Sequence, residues 1–572
     1  MKRYFKIILN IVIVIIFMTC FSGCTNNDKT IKAIQLDLER VDRVIEPLDI
    51  IDCSQVKARI IYADGSKGLF VNASQDPAFS ISSVKDNDKY IVTITHNSGI
   101  QASYEVTIKT VSELIIVQAP YRKVYSIQDS VHNLEDLTVR LRYTDNSISA
   151  PVKVMEHPGF MVSTYRKSHN DASFIISYEN VSISVPALFL EGYNESSGII
   201  NIENVGFVTG PNSVNADMLA QNGFSYTDLG ISVYDKNNEL NYFFYGDTFS
   251  ALTPDGYGFS GTWHSNFFAV SSDTQLSNGI TFDSVKGPVI EGNHQGNSPD
   301  LNGEVTKIPT GGTVIDGVVY MFYMSISDWS DWRIRWSGCV KYVNGEWQNV
   351  PSLNWVDINA EPYIDNHPAK ISHPQEFDYT MTPTDCFKQI TVCSNAEDGY
   401  LYLYATGNGR LTDARLMRVK PIDFENPMRY EYFCGTQQGD PIWKTARQNG
   451  VEESVAVIDK NSTSKSIGEL TVTYNPYLKK YMATYCADNY QSKFSNDYYG
   501  LLMRLSDTPY GPFDEIYCID KKSRLIAKGG IYGAFTSEGM IEEDGRIVYL
   551  QVSSFTPTYN VQLIKVEFSP YM

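Results

Sequence analysis

The sequence predicts an all-β fold, and three observations support this prediction. The chain is rich in aromatic residues, with 38 Tyr and 13% aromatic side chains overall. Many short segments alternate apolar and polar residues and are interrupted by Gly, Asn or Asp, which is the pattern of strands joined by tight turns. Two sets of internal repeats recur at periods of about 80 residues. Together these observations predict a five-bladed β-propeller preceded by two immunoglobulin-like (Ig-like) β-sandwich domains.

The length and charge of the chain limit its domain count and its partners. Its 572 residues are enough for three or four domains. A net charge of −19 argues against nucleic acid as a partner, because phosphate binding requires a basic surface. The sequence also lacks a P-loop, a C-x-x-C pair and an H-E-x-x-H motif, so no metal and no cofactor is expected.

The N-terminus has the features of a bacterial lipoprotein signal. A basic start, "MKRYFK", precedes a short apolar run and then "FSGC", which is similar to a lipobox. We therefore predict a signal peptide over residues 1–23, lipid attachment to Cys24 and a tether over residues 24–30. A transmembrane helix is the alternative, but the apolar run is short for a full span. The expected location is the cell membrane, with the protein facing the extracytoplasmic side or the cell surface.

The first repeat predicts two small domains, over residues 31–111 and 112–192. "VKARIIYADGS" is echoed by "LTVRLRYTDNS", so that Tyr62 and Tyr143 lie 81 residues apart. Each copy is an alternating strand followed by a D-G or D-N turn. Units of this length built from short strands are typical of Ig-like sandwiches. We expect them to act as spacers or wall contacts, with glycan binding left open, and a linker to follow over residues 193–205.

The second repeat predicts a propeller over residues 206–572. Its unit is a strand hairpin with a Tyr-rich second strand, and five copies at a near-constant period indicate five blades with long loops. A run of ordinary sandwiches is the alternative, but the five hairpins share one internal order. "IPTGG" in the second hairpin predicts a close backbone approach at the axis. The second strands begin at Tyr242, Tyr320, Leu401, Tyr481 and Val548.

The first hairpin, "YTDLGISVYDKNNELNYFFYGDTFS", carries a carboxylate at each of its open ends. Asp228 is expected just before the first strand, and Asp247 just after the second. Strands within a blade are antiparallel and the first lies nearest the axis, so both ends should face one rim. Glu469 opens the first strand of the fourth hairpin and is expected at the same rim. An unpaired carboxylate in a dry inner strand is costly, which favours a functional role for Glu469.

Other residues at this rim are candidate substrate contacts. Aromatic faces can stack on a sugar ring, while amide and guanidinium groups can bond its hydroxyls. Simple loop packing is the alternative for the Trp residues. The candidates are Trp263, His264, Asn266, Trp329, Trp332, Arg333, Asn408 and Arg410, with Asp328, Asp488 and Asn489 also expected at the rim.

Several motifs of the second repeat, taken together, resemble the domain-of-unknown-function family 4185. They are "TDLGI", "YGDTF", "WHSNFFAVSSD", "IPTGG", "GELTVTYNP" and "SDTPYGPF", and the resemblance covers residues 206–568. Part of that family is classed as glycoside hydrolase family 183, the endo-D-arabinanases. The resemblance therefore implies a hydrolase of arabinofuranosyl or related glycans. "SDTPYGPF" also resembles the furanosidase propellers of glycoside hydrolase family 43, which place an aspartate at the position of Asp228.

The candidate carboxylates suit glycosidic cleavage, which needs a proton donor and a carboxylate base or nucleophile. Asp228 is the expected base or nucleophile, because it lies at the opening of the first blade. Glu469, in a drier setting, is the expected proton donor. Asp247 should hold the substrate or tune its neighbour's charge, and it could exchange roles with Asp228. For Asp228 and Asp247 the alternative is a structural cap of a turn or strand end.

Two other functions remain open at this point. A non-catalytic glycan-binding or adhesion lipoprotein would use the propeller as a lectin. A sialidase-like hydrolase is a weaker alternative, because the S-x-D-x-G-x-x-W boxes of that class are missing. Several rim acids favour an enzyme, since binding a neutral sugar does not require paired carboxylates. The expected partners are a polysaccharide substrate and, through the lipid anchor, the membrane, with the protein acting as a monomer.

Overall fold

A computed structural model describes residues 29–168, 171–190, 198–254, 259–292, 303–329, 332–460, 466–487, 500–521, 531–555 and 559–570. Strands dominate the described ranges, which confirms the all-β class. None of their helices is long and apolar enough to cross a membrane. The signal peptide and Cys24 lie outside the described residues. The described residues form two compact units, of which the first comprises residues 29–120, 134–164 and 174–185.

The N-terminal third of the chain contains only short strands and one 3₁₀ turn, Val154–Glu156, in its described part. The strands are β1 (Ile31–Asp37), β2 (Val44–Ile45), β3 (Lys57–Tyr62), β4 (Val71–Asn72), β5 (Phe79–Asp86), β6 (Lys89–His96), β7 (Gln101–Ile108), β8 (Val111–Gln118), β9 (Val124–Ser126), β10 (Thr138–Tyr143), β11 (Val152–Lys153), β12 (Phe160–Ser168), β13 (Asp171–Tyr178), β14 (Val181–Pro186) and β15 (Leu188–Leu190).

The predicted repeat of this region is visible as matching strands. Strand β3 lies between β1 and β4, and β10 lies between β8 and β11. Both strands are followed by the same turn, in which Asp64 accepts a hydrogen bond from the Ser66 amide at 2.8 Å and Asp145 accepts one from the Ser147 amide at 2.8 Å. Further sheets have the orders β2-β7-β6-β5 and β12-β13-β14. Their assignment as Ig-like domains stays a prediction.

The second unit carries the remaining strands. They are β16 (Ile199–Phe207), β17 (Tyr226–Asp235), β18 (Leu240–Leu252), β19 (Phe259–His264), β20 (Phe267–Ser271), β21 (Ser284–Lys286), β22 (Thr306–Ile315), β23 (Val318–Asp328), β24 (Arg333–Val343), β25 (Glu346–Asp357), β26 (Thr380–Thr382), β27 (Gln389–Cys393), β28 (Leu401–Thr406), β29 (Ala414–Val419), β30 (Glu431–Gln437), β31 (Asp440–Thr445), β32 (Ala456–Ile458), β33 (Thr471–Asn475), β34 (Lys480–Cys486), β35 (Gly500–Ser506), β36 (Glu515–Lys521), β37 (Ile531–Phe535), β38 (Ile541–Glu542), β39 (Ile547–Ser554) and β40 (Asn560–Phe568).

Helices of the second unit are short. They are α1 (Ala216–Gln221), α2 (Pro368–Ser372) and α3 (Gly450–Glu453), with 3₁₀ turns at Ile358–Asn366, Pro421–Asp423, Pro427–Arg429, Ala446–Gln448, Glu538–Met540 and Glu543–Gly545.

Strands β16 to β40 form five sheets that are antiparallel except for one pair, whereas β9 and β15, which also belong to the second unit, pair in parallel. Sheet 1 has the order β17-β18-β20-β21, and β19 also pairs with β18. Sheet 2 contains β22 to β26 in chain order, with β26 parallel to β25, and sheet 3 contains β27 to β31, with β32 paired to β29. Sheet 4 contains β33 to β36, and sheet 5 has the order β37-β39-β40-β16, with β38 paired to β39. Each predicted hairpin is therefore observed as the first two paired strands of a sheet. In the last hairpin the first strand lies earlier than expected, because a 3₁₀ turn at Glu538–Met540 interrupts "AFTSEGMI".

The first strands of sheets 1 to 4 line one cavity, and the segment that follows the first strand of sheet 5 completes its lining. The cavity has a volume of about 420 Å³, open space included, and its lining includes Val233, Gly312, Val392 and Val472 of the four strands and Ser537, which follows β37. The "IPTGG" segment approaches its neighbour closely, as predicted. A side chain on Gly311 would lie 2.6 Å from the backbone oxygen of Ile390, so the first strands of sheets 2 and 3 pack backbone to backbone.

The register of each hairpin places the open ends of its two strands side by side. Thr227 pairs with Thr248 in sheet 1, and Gln389 pairs with Thr406 in sheet 3. The turns that close the hairpins use residues that tolerate positive φ: Asp316 and Gly317, at φ 50° and 79°, connect β22 to β23. The loops at the open ends are therefore the ones available to build a site.

Sheet 5 joins the two ends of the second unit. Strand β16 is its outer strand and pairs with β40 along its whole length, from Ile199 opposite Phe568 to Phe207 opposite Gln562. Residues 199–205 were expected to be linker, but the structure places them in this strand, where Ile199, Ile200 and Ile202 are buried. The polar residues of "NIENVGF" hide this strand in the sequence, because its apolar positions are concentrated at one end.

Candidate active site

Asp228 and Asp247 occupy opposing positions of the β17–β18 hairpin, both inside the strands rather than outside them as predicted. Thr227 pairs with Thr248 and Leu229 pairs with Tyr245, so Asp228 lies opposite both Gly246 and Asp247. This is a β-bulge, a feature that re-aims side chains at the rim of a sheet. Leu229 and Gly230 complete the irregularity with φ values of 69° and 112°. The two carboxylates predicted at the open end of the hairpin are thus brought together.

Gly246 leaves the space that the Asp228 carboxylate occupies. A side chain at this position would overlap Asp228 Oδ1 and would lie 3.0 Å from the Leu229 side chain. The "GD" dipeptide therefore has two functions in this structure: the glycine makes room for one carboxylate and the aspartate supplies the other.

Asp228 is held from sheet 5. The Tyr559 hydroxyl donates a hydrogen bond of 2.6 Å to Asp228 Oδ2, and the Thr227 amide donates one of 3.0 Å to the Tyr559 carbonyl. A phenol that donates to a carboxylate stabilises its ionised form. Tyr559 itself is only 5% exposed, so this contact is well defined by the surrounding packing.

Asp247 is held from the opposite side, by sheets 1 and 2. Trp263 Nε1 donates to Asp247 Oδ1 at 3.2 Å, and Thr306 Oγ1 donates to the same oxygen at 2.7 Å. Among the described residues no hydrogen bond reaches Oδ2. Burial raises the pKa of Asp247 from 3.8 to about 7, although the two hydrogen bonds act in the other direction. A substantial fraction of this carboxyl group therefore carries a proton near neutral pH.

Glu469 lies two residues before β33 and is paired with a cation. Arg410 donates to Glu469 Oε1 from Nη2 at 2.8 Å and from Nε at 3.3 Å, and the Gly533 amide donates to Oε2 at 3.3 Å. The Arg410 guanidinium also lies over the Trp332 ring, 4.8 Å from its centroid. Glu469 is 9% exposed, and this ion pair satisfies a carboxylate that would otherwise be buried alone.

The remaining candidates of sheets 2 and 3 cluster beside this ion pair. Trp329 and Trp332 meet edge to face with their ring centroids 5.5 Å apart. Asn408 Oδ1 accepts a hydrogen bond of 3.2 Å from the Ile334 amide. Arg333 lies 3.7 Å from Asp328 and its side chain is 34% exposed. Asp488 and Asn489 lie outside the described residues.

Two candidates of the "WHSN" segment, Asn266 and His264, make contacts within the fold. Asn266 was expected to contact substrate, but it is 0% exposed. Its Nδ2 donates to the Ile290 and Lys307 carbonyls at 2.9 Å each, and its Oδ1 accepts from the Val289 amide at 2.8 Å. This amide holds the loop after β20 and cannot reach a sugar. His264 packs edge to face on Phe224 at 5.0 Å, and burial lowers its pKa below 6.5.

Three residues that contact the carboxylates were missed in the sequence. Gly246 lies within the recognised motif "YGDT", and Thr306 lies two residues before "IPTGG". Tyr559 follows the second strand of the last hairpin, at the same rim as the strand exits that supplied Asp328 and Asn408. The reasoning that placed the other strand ends at this rim, applied to the fifth hairpin, would have identified Tyr559. In the described part of the chain, no three His, Cys, Asp or Glu side chains are grouped as a metal site requires.

Most of the sequence matches one known protein family. Residues 213–565, more than half of the sequence, match the family described as Domain of unknown function (DUF4185). The chain belongs to this family. The match confirms the resemblance seen in the motifs, and it includes Asp228, Asp247 and Glu469 within the DUF4185 domain.

Solved structures resembling this DUF4185 protein include several glycoside hydrolases. A family 43 enzyme from Xanthomonas citri complexed with xylotriose is 11% identical, with 60% of this chain and 87% of that chain covered and a TM-score of 0.30. A family 117 enzyme of Zobellia galactanivorans is 12% identical over 65% and 92%, with a TM-score of 0.32. An α-L-arabinofuranosidase from Clostridium thermocellum is 12% identical over 78% and 96%, with a TM-score of 0.25.

These three TM-scores lie below 0.5, so the similarities decide neither the fold nor the activity of the DUF4185 domain. No protein of curated function matches the sequence. The chemistry must therefore be argued from the site itself.

Proposed function

We propose that this DUF4185 protein is a glycoside hydrolase that cleaves an arabinofuranosyl glycan similar to D-arabinan. The observation that carries the proposal is the pair Asp228 and Asp247. They lie at opposing positions of one bulged hairpin, and each carboxylate has its own hydrogen-bond donors: Tyr559 for Asp228, and Trp263 and Thr306 for Asp247. Pairs of carboxyl groups whose environments separate their protonation states are the arrangement that acid–base cleavage of a glycosidic bond requires.

Asp247 is the proton donor in this proposal. Its pKa of about 7 keeps part of it protonated at neutral pH, and both of its hydrogen-bond donors reach Oδ1. The proton is therefore carried by Oδ2, from which it can pass to the leaving glycosidic oxygen. This role differs from the sequence-based expectation, in which Asp247 held the substrate.

Asp228 is the base or nucleophile. The Tyr559 hydroxyl donates to it at 2.6 Å, which stabilises the negative charge and fixes the orientation of the carboxylate. Facing a protonated Asp247 also suits an ionised Asp228, because two adjacent carboxylates are less repelled when only one is charged.

Glu469 supports substrate binding in this account and does not donate the proton. Both Arg410 donors contact Glu469 Oε1, so this carboxylate is engaged in an ion pair with the protein. Arg410 in turn is held over Trp332, so that the Trp329 and Trp332 rings and the guanidinium form a second polar and aromatic area at the rim. Arg333 and Asn408 lie at the margin of this area.

The wider organisation is part of the same proposal. We infer that the five sheets are blades around one axis, because the first strands of sheets 1 to 4 and the segment after the first strand of sheet 5 line the same cavity. The N-terminal sheets are two Ig-like spacers, and Cys24 carries the lipid that anchors the protein on the extracytoplasmic face of the membrane. Such an anchor would hold a hydrolase near polymeric glycans of the cell surface.

The proposal is tested by incubating the purified protein with mycobacterial arabinogalactan and a panel of plant arabinans, followed by chromatography of the products. We expect shorter arabinose-containing products from the wild type and none above background from Asp228→Asn. If no substrate is cleaved but glycans still bind, the lectin alternative is correct and the hydrolase proposal fails.

A further inference from the structure

Four aromatic residues form a continuous wall beside Asp228. We define the aromatic wall as Phe249, Phe259, Phe555 and Tyr559. Phe249 and Phe259 are stacked at 4.5 Å, and Phe259 contacts Tyr559 at 4.6 Å. Phe555 meets Phe259 edge to face at 5.8 Å and Tyr559 at 6.1 Å. The wall thus joins the outer part of the β18–β19 hairpin to the segment before β40.

The aromatic wall is connected to both proposed catalytic carboxylates. At one end Tyr559 donates its hydroxyl to Asp228. At the other end Phe249 pairs across the strands with Trp263, whose indole donates to Asp247. Alternate residues of a strand share one face, so Phe249 lies on the same face of β18 as Asp247. The wall therefore runs past the place where the glycosidic bond must lie.

Core packing alone does not account for this wall. Phe555 is 44% exposed, and Phe249 and Phe259 are only partly buried. Tyr559 alone is buried, and its single polar atom is bonded to Asp228. Aromatic rings left partly open beside paired carboxylates present flat apolar faces, which suit the C–H face of a sugar ring.

We propose that the aromatic wall is a sugar-binding subsite that stacks on the glycan residue next to the cleaved bond. This inference rests on the proposed hydrolase function and adds the residues that bind its substrate. Neutral furanose or pyranose rings are the ligand class, because the wall offers apolar faces and no cation. Tyr559 packs behind this surface and is the positioning residue of Asp228.

The test compares Phe555→Ala and Phe259→Ala with the wild type, using Phe70→Ala as the control. Phe70 lies in the first unit and is 37% exposed, close to the exposure of Phe555. Oligosaccharide binding is measured by calorimetry in an Asp228→Asn background, so that it does not depend on turnover. We expect each wall substitution to weaken binding roughly 2- to 10-fold and to raise KM more than it lowers kcat, with the Phe70→Ala protein unchanged.

Three outcomes separate the two proposals. Weakened binding in the wall variants, with cleavage by the wild type, supports both. If the wall variants bind more weakly but the wild type cleaves no substrate, the subsite proposal is supported and the hydrolase proposal fails. Unchanged binding and KM in both wall variants, or a wild type that binds no glycan of the panel, overturns the subsite.

Tyr559→Phe gives a second, independent readout. The ring of the wall stays in place while the hydrogen bond to Asp228 is lost. We expect oligosaccharide affinity to be retained, kcat to fall, and the acidic limb of the pH–rate profile to move to higher pH, because Asp228 loses a donor that stabilises its charge. A pH profile identical to that of the wild type would contradict the positioning role.

Discussion

A methyl group on Gly246 would overlap the Oδ1 atom of Asp228, so the carboxylate keeps its place only while residue 246 has no side chain. Because the Asp228 carboxylate needs this space, a glycine precedes Asp247 in β18. It also offers a way to move a proposed catalytic group without replacing it.

Gly246→Ala should abolish most hydrolysis while the protein still folds. The new methyl group displaces Asp228 from Tyr559 and from its place opposite Asp247, and small displacements of catalytic groups cost roughly 10²-fold in rate. Steady-state kinetics on a cleavable arabinan, with circular dichroism as the folding check, would measure this. The control is Gly68→Ala, whose added methyl group would lie 3.7 Å from its nearest neighbour and should leave the rate unchanged.

The raised pKa of Asp247 predicts how stability depends on pH. In the folded protein this pKa is about 7, against 3.8 for the free side chain. The folded state therefore holds the proton more tightly, and stability falls as pH rises from about 4 to about 7. Asp247→Asn removes this penalty, which is on the order of 2 kcal/mol for a partly exposed residue.

Thermal unfolding of the wild type and of Asp247→Asn at about pH 4 and about pH 8 tests this reasoning. We expect the variant to unfold at a higher midpoint temperature than the wild type at the higher pH. At the lower pH the two midpoint temperatures should differ little. An equal difference at both values would show that Asp247 titrates normally.

Pairing of β16 with β40 predicts where the second unit is weakest. Truncation after Ser554 removes β40 and leaves β16 and β39 without their shared partner, so the large unit should lose cooperative unfolding. A milder variant is Ile564→Ala in β40, at a side chain that is 0% exposed. Loss of such a buried group costs about 2–5 kcal/mol.

Differential scanning calorimetry would compare Ile564→Ala with Ile422→Ala, whose side chain is 88% exposed and should have almost no effect. A truncated protein with the melting profile of the full chain would contradict closure through sheet 5.

The lipoprotein signal predicts that Cys24→Ala prevents anchoring. Without the thiol no lipid can be attached, so the precursor should keep its leader or the protein should leave the membrane fraction. Two acyl chains are enough for stable attachment. Membrane fractionation and intact-mass measurement check this, and an unchanged mature mass together with unchanged fractionation would rule out lipid attachment at Cys24.

The sequence predicted the hairpins well because their patterns are local. Alternating and Tyr-rich strands, D-G turns and a constant period all lie within short segments, and the placement of Asp228 and Asp247 at the open end followed from antiparallel pairing. The role of Glu469 could not be read in the same way. The burial of Glu469 was predicted, but its partner Arg410 belongs to another sheet. Only the folded arrangement shows that the charge of Glu469 is neutralised.

Contacts between distant segments account for the other differences. Tyr559 lies 331 residues from Asp228 along the chain, and no local pattern connects them. Asn266 was assigned to substrate as part of the "WHSN" segment, yet it lies in the connection between β19 and β20, where its amide turns inward and bonds the backbone of Val289, Ile290 and Lys307. Strand β16 was missed because its partner, β40, stands at the other end of the unit.

The central claim is that Asp247 donates the proton and Asp228 acts as base or nucleophile. Its most direct test is the rate of Asp247→Asn on two substrates, an arabinan polymer and an aryl arabinofuranoside with an activated leaving group. The activated substrate needs little protonation. We expect a loss of about 10²-fold or more on the polymer and far greater retention of activity on the aryl glycoside, whereas Asp228→Asn and Glu469→Gln should show no such selective retention. Selective retention by Glu469→Gln instead, or full polymer activity of Asp247→Asn, would contradict this account.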